Sequence, residues 1–300
     1  MNRCEIAGIC LEKLAAQTLK PERVIVVNNA STDGTHAMLG DACRSRDGWI
    51  VGKNLETNLG NAGGMELAME AAFSAGFQSV WILDDDSWPE PEALESLLKA
   101  ELPDDALRSC LVVDLETGAL SWPLQVPDQD GWRLVAEKDP LPTGEVIQVR
   151  RSWLGALIPK HVYDTVGPVN GRLFLRGEDE DYPRRIERAG FSVHVVTGSK
   201  LHHPPAGHLN QWEFAGRTVV LESGLSGDKL YYRLRNAWWM VRQDRGTIEA
   251  AVVAILHGFA LWRWENSTSS WFPVWREAAR DAFRDRLGKR DRPPARSEKN

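Results

Sequence analysis

Three carboxylates stand side by side in WILDDDSWPEP, residues 81–91: Asp84, Asp85 and Asp86 follow directly on the apolar Trp81, Ile82 and Leu83. Adjacent negative charges repel one another, so a chain that sets three of them behind a buried run needs a counter-charge. An acidic helix start accounts for one or two, because the macrodipole favours anions there. Three, with the first flush against a strand, fit a hard divalent cation better. Mg²⁺ or Mn²⁺ is usually held by one or two carboxylates together with phosphate oxygens. Side chains alternate along an extended stretch, so Asp84 and Asp86 point the same way and either or both could reach the ion.

A second cluster, Glu178-Asp179-Glu180-Asp181, begins where the apolar RLFLRG leaves the core. A solvated acidic face is the plain alternative; beside a metal site, a carboxylate is a candidate general base. His202 and His203 follow about twenty residues later, after a strand-like run. A histidine at a strand end near two acidic clusters could supply a nitrogen ligand. NLGNAGG (58–64) lacks the Gly-Lys-Ser/Thr ending of a P-loop and the GxGxxG spacing. Its glycines would let backbone amides approach a diphosphate, and a plain loop explains them equally well.

These groups need a scaffold that brings them together. RVIVV (23–27), WIVG (49–52) and SVWIL (79–83) are short apolar runs and read as buried strands. Helical patterns at 4–18, 35–46, 65–76 and from Pro89 to about 100 separate them. Such alternation predicts βαβ units and a parallel sheet covered on both faces. In these sheets ligands bind beyond the carboxyl ends of the strands. The Asn28–Gly34 loop, the Asn58–Gly64 loop and Asp84–Asp86 all lie there.

Beyond residue 107 the pattern changes. CLVVD and GALSWPL read as a hairpin, 123–145 as a polar, proline-rich insertion, 146–159 as strand, 177–190 as an acidic loop entering a helix, and 191–196 as strand. From Lys229 the chain reads as helical to about 287, with a charged tail from Lys289 expected to be disordered. The net charge of −6 argues against a general nucleic-acid binder. Cys4, Cys10, Cys43 and Cys110 have no CxxC spacing and read as reduced thiols of a cytoplasmic protein. No signal peptide is evident, and no segment reaches the ~18 consecutive apolar residues of a membrane span.

VIVVNNASTDGT, NLGNAGG, VWILDDDSWPEPEAL, FLRGEDEDYPRRIERAG and LHHP resemble, in this order, the landmarks of inverting family 2 glycosyltransferases with the GT-A fold, a Rossmann-like mixed sheet. The nearest branch is similar to bacterial galactofuranosyl- and rhamnosyltransferases, which extend cell-wall or lipid-linked polysaccharides. KLYYRLRNAWWMVR resembles a segment that follows the catalytic domain in that branch. The resemblance spans about residues 3–245. It implies a DXD motif at Asp84 and Asp86, completed as a metal site by His202, with Asp179 as catalytic base. It implies donor contacts from Asn28, Asn58, Gly60, Gly63 and Asp85, and an acceptor side at Trp153, Glu178 and Asp181. Mg²⁺ or Mn²⁺ would be the cofactor, a UDP- or dTDP-sugar the donor, and a glycan or lipid-linked glycan the acceptor. The chemistry would be one displacement, with no covalent enzyme intermediate.

Two departures stand out. Asn28 replaces an aspartate usual in the family. MNR stands where a strand ending in YNR is usual, so the first strand is expected to be missing, through a start assigned downstream or a decayed copy. A truncated, non-catalytic nucleotide-sugar-binding homologue is therefore the competing expectation. Retention of both acidic clusters speaks against it, because concentrated charge is costly to keep without a use. A sugar-phosphate nucleotidyltransferase would want a glycine- and lysine-rich loop near the N-terminus, and none is visible. The expected organisation is a catalytic domain over 1–215, a helical region over 225–288 and a tail over 289–300. TIEAAVVAILHGFALWRW is too short and too interrupted to span a bilayer. Trp262, Trp264, Trp271 and Trp275, interleaved with Arg263 and Arg276, suit either packing on the catalytic domain or contact with headgroups; the resemblance, whose acceptors are often lipid-linked, implies peripheral contact at the inner face of the plasma membrane.

Overall fold

In the computed structural model the chain opens on a helix, α1 (Cys4–Ala15), followed by β1 (Val24–Asn28), α2 (Thr35–Ser45), β2 (Ile50–Asn54), α3 (Gly60–Ser74) and β3 (Ser79–Trp81). Then come β4 (Trp88–Pro89), α4 (Ala93–Lys99), β5 (Ala106–Val113), β6 (Leu124–Asp128), β7 (Gly131–Val135), β8 (Val146–Val149), β9 (Ala156–Pro159), α5 (Lys160–Val166), α6 (Glu178–Arg188) and β10 (Ser192–His202). The chain closes with β11 (Leu209–Phe214), β12 (Arg217–Glu222), α7 (Gly227–Arg245), α8 (Thr247–Trp264) and α9 (Trp271–Phe283). The structure describes residues 1–290 apart from 104, 130, 137–138, 141–142, 206–208, 215–216, 223, 226 and 265–270. The expected tail from residue 289 lies outside the described residues beyond Arg290.

The central sheet is mixed, in the order β3-β9-β5-β10-β4, with β8 also on β10. β5 and β10 run parallel, while β3, β4, β8 and β9 pair antiparallel with their neighbours. β5 is buried along almost its whole length, as a strand covered on both faces must be. The main core lies between this sheet and α3, α5 and α6, around Met69, Phe73, Leu107, Ile158, Leu173, Tyr182 and Val195. A second core joins α7, α8, α9 and β12, and Phe174 belongs to it.

The expected single parallel sheet is divided. β1 and β2 pair in parallel, Val24 opposite Ile50 through Asn28 opposite Asn54, but among the described residues neither joins the central sheet. Between β1 and β3 lies an open cavity of about 1360 Å³, lined by Val24–Val27, by Val80–Leu83, by Met65, Ala68 and Ala72 of α3, and by Cys10, Leu11 and Leu14 of α1. β1 pairs only with β2 and β3 only with β9, so each presents an edge here without a strand partner among the described residues.

Other boundaries shift for local reasons. α3 starts at Gly60 and not at 65, and the Asn58 side chain accepts the Gly60 N–H at 2.7 Å in the turn that leads into it. The acids at 178–181 are the first turn of α6, where the helix dipole favours them, and not a loop. The insertion at 123–145 contains the β6–β7 hairpin, the stretch 146–159 breaks into β8 and β9, and the β11–β12 hairpin was not foreseen. No helix among the described residues is long and apolar enough to cross a membrane.

Candidate active site

The carboxylates after β3 meet the end of β10. Asp84, Asp86 and His203 each bring one ligand atom within 4.8 Å of the others. The approach is built by pairing: β4 aligns Trp88 opposite His202, which lays the acidic turn against the end of β10. Asp84 is tethered by its N–H to the Ser87 hydroxyl at 3.3 Å. Burial, reinforced by the charge of Asp86, pushes Asp84 up to about 6. Burial would also raise Asp86, but His203 and Arg3 outweigh it and hold that carboxyl at about 2.

The histidine at the aspartates is His203 and not His202, which corrects the assignment made from the sequence. Adjacent residues at a strand end face opposite ways. His202 Nε2 lies 3.2 Å from Glu90 Oε1, away from the cluster. His203 Nε2 lies 3.2 Å from Asp86 Oδ1. Its Nδ1–H donates to the Pro204 carbonyl at 2.6 Å, and its ring lies against Trp122 at 4.5 Å between centroids. A proton held on Nδ1 by a carbonyl is the arrangement that leaves Nε2 free to bind a metal. Two carboxylates and one imidazole fit a divalent cation such as Mn²⁺.

The second acidic cluster comes from α6. Glu178 is buried; Asn61 of α3 donates to its Oε1 at 2.7 Å, while Oε2 is buried without a hydrogen-bond partner. Burial, then the charge of Asp179, raises Glu178 to about 7. Asp179 is open to solvent, and its Oδ1 accepts the Gly177 N–H at 3.1 Å. The protein crowded around it limits its hydration and, with Glu180 beside it, raises its pKa. Burial opposes ionisation of Glu180 too, but Arg233 and Arg184 prevail and lower it. Asp84 senses the charge of Asp179 and Glu178 that of Asp84, so the two clusters lie within electrostatic reach of each other.

The remaining candidates have other partners. Asp181 pairs with Arg185 at 3.0 Å, and Trp153 packs edge-on against Tyr182 in the main core. Asp85 is paired with Arg3 at 2.9 Å. Asn28 is buried, donating to Asn54 Oδ1 at 2.8 Å and accepting the Ser31 N–H at 3.1 Å. Gly60 is required by packing: with φ at +76°, a Cβ there would lie 1.9 Å from the Phe174 carbonyl oxygen. At Gly63 a Cβ would meet the Leu59 side chain at 2.8 Å. Sequence reasoning missed His203, Asn61, Trp122 and Arg3. The paired histidines were the one available signal, and period two alone does not say which of them faces inward.

A profile of glycosyl transferase family 2 matches residues 1–156, just over half of the chain. The chain belongs to glycosyl transferase family 2. It is 27% identical to galactofuranosyltransferase GlfT1 of Mycolicibacterium smegmatis over 252 residues, covering 81% of this chain and 80% of that protein. To galactofuranosyltransferase GlfT1 of Mycobacterium tuberculosis it is 30% identical over 206 residues, covering 65% of this chain and 64% of the relative. Among solved structures, GalNAc-T7 with UDP, GalNAc and Mn²⁺ superposes with a TM-score of 0.56 at 13% identity, over 92% of this chain and 52% of that one. S. aureus TarS gives 0.54 at 15% identity, over 94% and 47%. The chain thus spans about half the length of these two structures, which share its GT-A fold.

Proposed function

We propose that this glycosyltransferase moves a galactofuranosyl residue from a nucleoside-diphosphate sugar, UDP- or dTDP-linked, to a hydroxyl of a cell-wall or lipid-linked glycan. The observation that carries the reading is the cluster of Asp84, Asp86 and His203, with the solvent-open Asp179 near enough for Asp84 to sense its charge. Likeness to two galactofuranosyltransferases supports the sugar over rhamnose. Asp84, Asp86 and His203 would hold Mg²⁺ or Mn²⁺, which when bound neutralises the charge of the departing diphosphate. Asp179 takes the proton of the acceptor hydroxyl as that oxygen bonds to the anomeric carbon. The bond from that carbon to the diphosphate oxygen breaks on the opposite face, and configuration inverts. Asn61 holds Glu178 next to Asp179, where burial favours the neutral carboxyl and so limits its repulsion of the leaving group.

The test is Asp179→Asn, assayed with UDP-galactofuranose and a synthetic galactofuranosyl acceptor. Transfer should fall by about 10²- to 10⁴-fold, while Mn²⁺-dependent UDP binding stays within about twofold, because the amide keeps the shape and loses only the basicity. Turnover near that of the parent would remove Asp179 from the role of base.

Contact with a membrane surface is part of the same reading. Its support is an apolar stripe on α8: Ile248, Ile255, Phe259 and Trp262 are 83%, 65%, 45% and 62% exposed and share one helix face.

A further inference from the structure

The segment that presents Asp179 is bent in an unfavourable way. Phe174, Arg176 and Gly177 have φ of +65°, +63° and +103°, and two of these are not glycine. Each such non-glycine residue costs free energy and persists only where its surroundings over-determine it. The bend also exposes carbonyls that no sheet or helix pairs. Leu173, Leu175 and Arg176 all turn theirs towards one side chain, that of Asn236 on α7. Its Nδ2 lies 3.0 Å from Leu173 O, 3.1 Å from Leu175 O and 2.5 Å from Arg176 O.

Asn236 is itself held. Arg235 Nε donates to its Oδ1 at 2.8 Å, which fixes the amide with its nitrogen towards the loop. Arg235 also donates from Nη2 to Leu173 O and from Nη1 to Gly288 O, each at 2.8 Å. Its guanidinium lies over the Tyr232 ring at 4.8 Å. Both residues are 1% exposed. Two buried polar side chains in mid-helix are costly unless every group is used, and here the loop uses them. Gly177 packs against the same residue, since a Cβ on it would lie 3.1 Å from Asn236 Cβ. One turn earlier on α7, Arg233 pairs with Glu180, the neighbour of Asp179. The other side of the bend rests on α3, whose Ala62 N–H donates to Phe174 O at 3.2 Å.

We propose that Asn236, oriented by Arg235, is a positioning residue for the transfer step. It holds the 173–177 bend so that Asp179 faces the Asp84–Asp86–His203 cluster. The inference rests on the reading of Asp179 as base, and it gives the C-terminal helices a part in the reaction although they lie outside the matched family profile. Asn236 touches no reacting atom; its whole effect passes through the bend.

The experiment compares Asn236→Leu, which removes the amide donor, with Asn236→Ser, which keeps one smaller donor. Both are assayed with UDP-galactofuranose and a galactofuranosyl acceptor. The expected result for Asn236→Leu is a kcat about 10- to 100-fold lower, with donor KM and Mn²⁺-dependent UDP affinity within about twofold of the parent. Asn236→Ser should fall between the two. In an Asp179→Asn background, Asn236→Leu should cost nothing further, because the group it positions has lost its function. A folded Asn236→Leu protein with kcat within about twofold of the parent overturns the proposal, as does an equal additional loss in the Asp179→Asn background. Failure of both variants to fold overturns it too, assigning Asn236 to the fold as a whole. Retained turnover in Asp179→Asn alone would defeat the base assignment while the kcat of Asn236→Leu still reports on the bend.

Discussion

At the scale of single residues, the site turns on which of two neighbouring histidines faces the aspartates. His203 is held by the Pro204 carbonyl and by the face of Trp122, with Nε2 towards Asp86; His202 is turned to Glu90. Removing His203 takes away the imidazole whose Nε2 lies at Asp86 and would be offered to a metal. His203→Ala is therefore expected to weaken Mn²⁺ binding in the presence of UDP by about 10- to 100-fold, the scale of losing a tuned ligand. His202→Ala should change it less than about threefold. Calorimetric titration of Mn²⁺ into the two variants with UDP present decides the matter. The reverse ranking would return the role to His202. Arg3 adds a second point at this scale, because its guanidinium bridges Asp85 and Asp86 at 2.9 and 2.7 Å and supplies a positive charge where a cation would sit.

At the scale of elements, α8 has two unlike faces. Ala250, Ala254, Leu256, Ala260 and Leu261 are buried against the other C-terminal helices, while the stripe from Ile248 to Trp262 is open. Most of the tryptophans that invited a membrane reading have intramolecular contacts: Trp264, Trp271 and Trp275 pack on the helical core, and Trp275 donates to Ala254 O at 2.8 Å. Trp262 stays 62% exposed, with the Phe259 ring at 5.4 Å, and sits beside Arg263, which makes this stripe the surface to test. The full-length protein is expected to float with vesicles containing phosphatidylglycerol at low salt. Ile255→Glu with Trp262→Glu should abolish flotation with little effect on melting temperature, since both side chains are exposed. Flotation unchanged by this double substitution would place the contact elsewhere.

At the scale of the whole molecule, a cavity separates β1 from β3. It is walled by α1 and α3 and flanked by two strand edges, each without a partner on that side among the described residues. Asn2 bonds to Ser31 and Thr32 after β1, and Arg3 bonds to Asp85 and Asp86 after β3. Both residues thus stand at the carboxyl ends of the two edges. A five-residue, β-branched segment fused ahead of Met1 would run along the cavity parallel to β1 and give both edges a ladder. Such an extension should raise the melting temperature by about 5 °C or more, given the ~2–4 °C that 1 kcal/mol is worth for a chain of this size. An extended protein that melts with the parent would show that the cavity does not accept a strand.

The sequence by itself determined the order of the elements in the first hundred residues and the two acidic motifs. It determined them because hydrophobic period, turn residues and adjacent like charges are local properties. Asp84 and Asp86 as a pair and the second acidic cluster at 178–181 were legible in this way. Tertiary structure decided what depends on partners far along the chain. That His203 and not His202 meets Asp86 follows from the facing of the β10 end. That Gly60 serves packing, with the Phe174 carbonyl in the space of its missing side chain, follows from the seating of α3 on the 171–174 turn. Trp153 packs on Tyr182 in the main core and Asn236 reaches the 173–176 carbonyls, through contacts between distant parts of the chain that no spacing in the sequence encodes. A side chain's chemistry is written at its own position, but its direction is set by whatever packs against it, and for this site those neighbours lie up to 119 residues away, as Asp84 and His203 do.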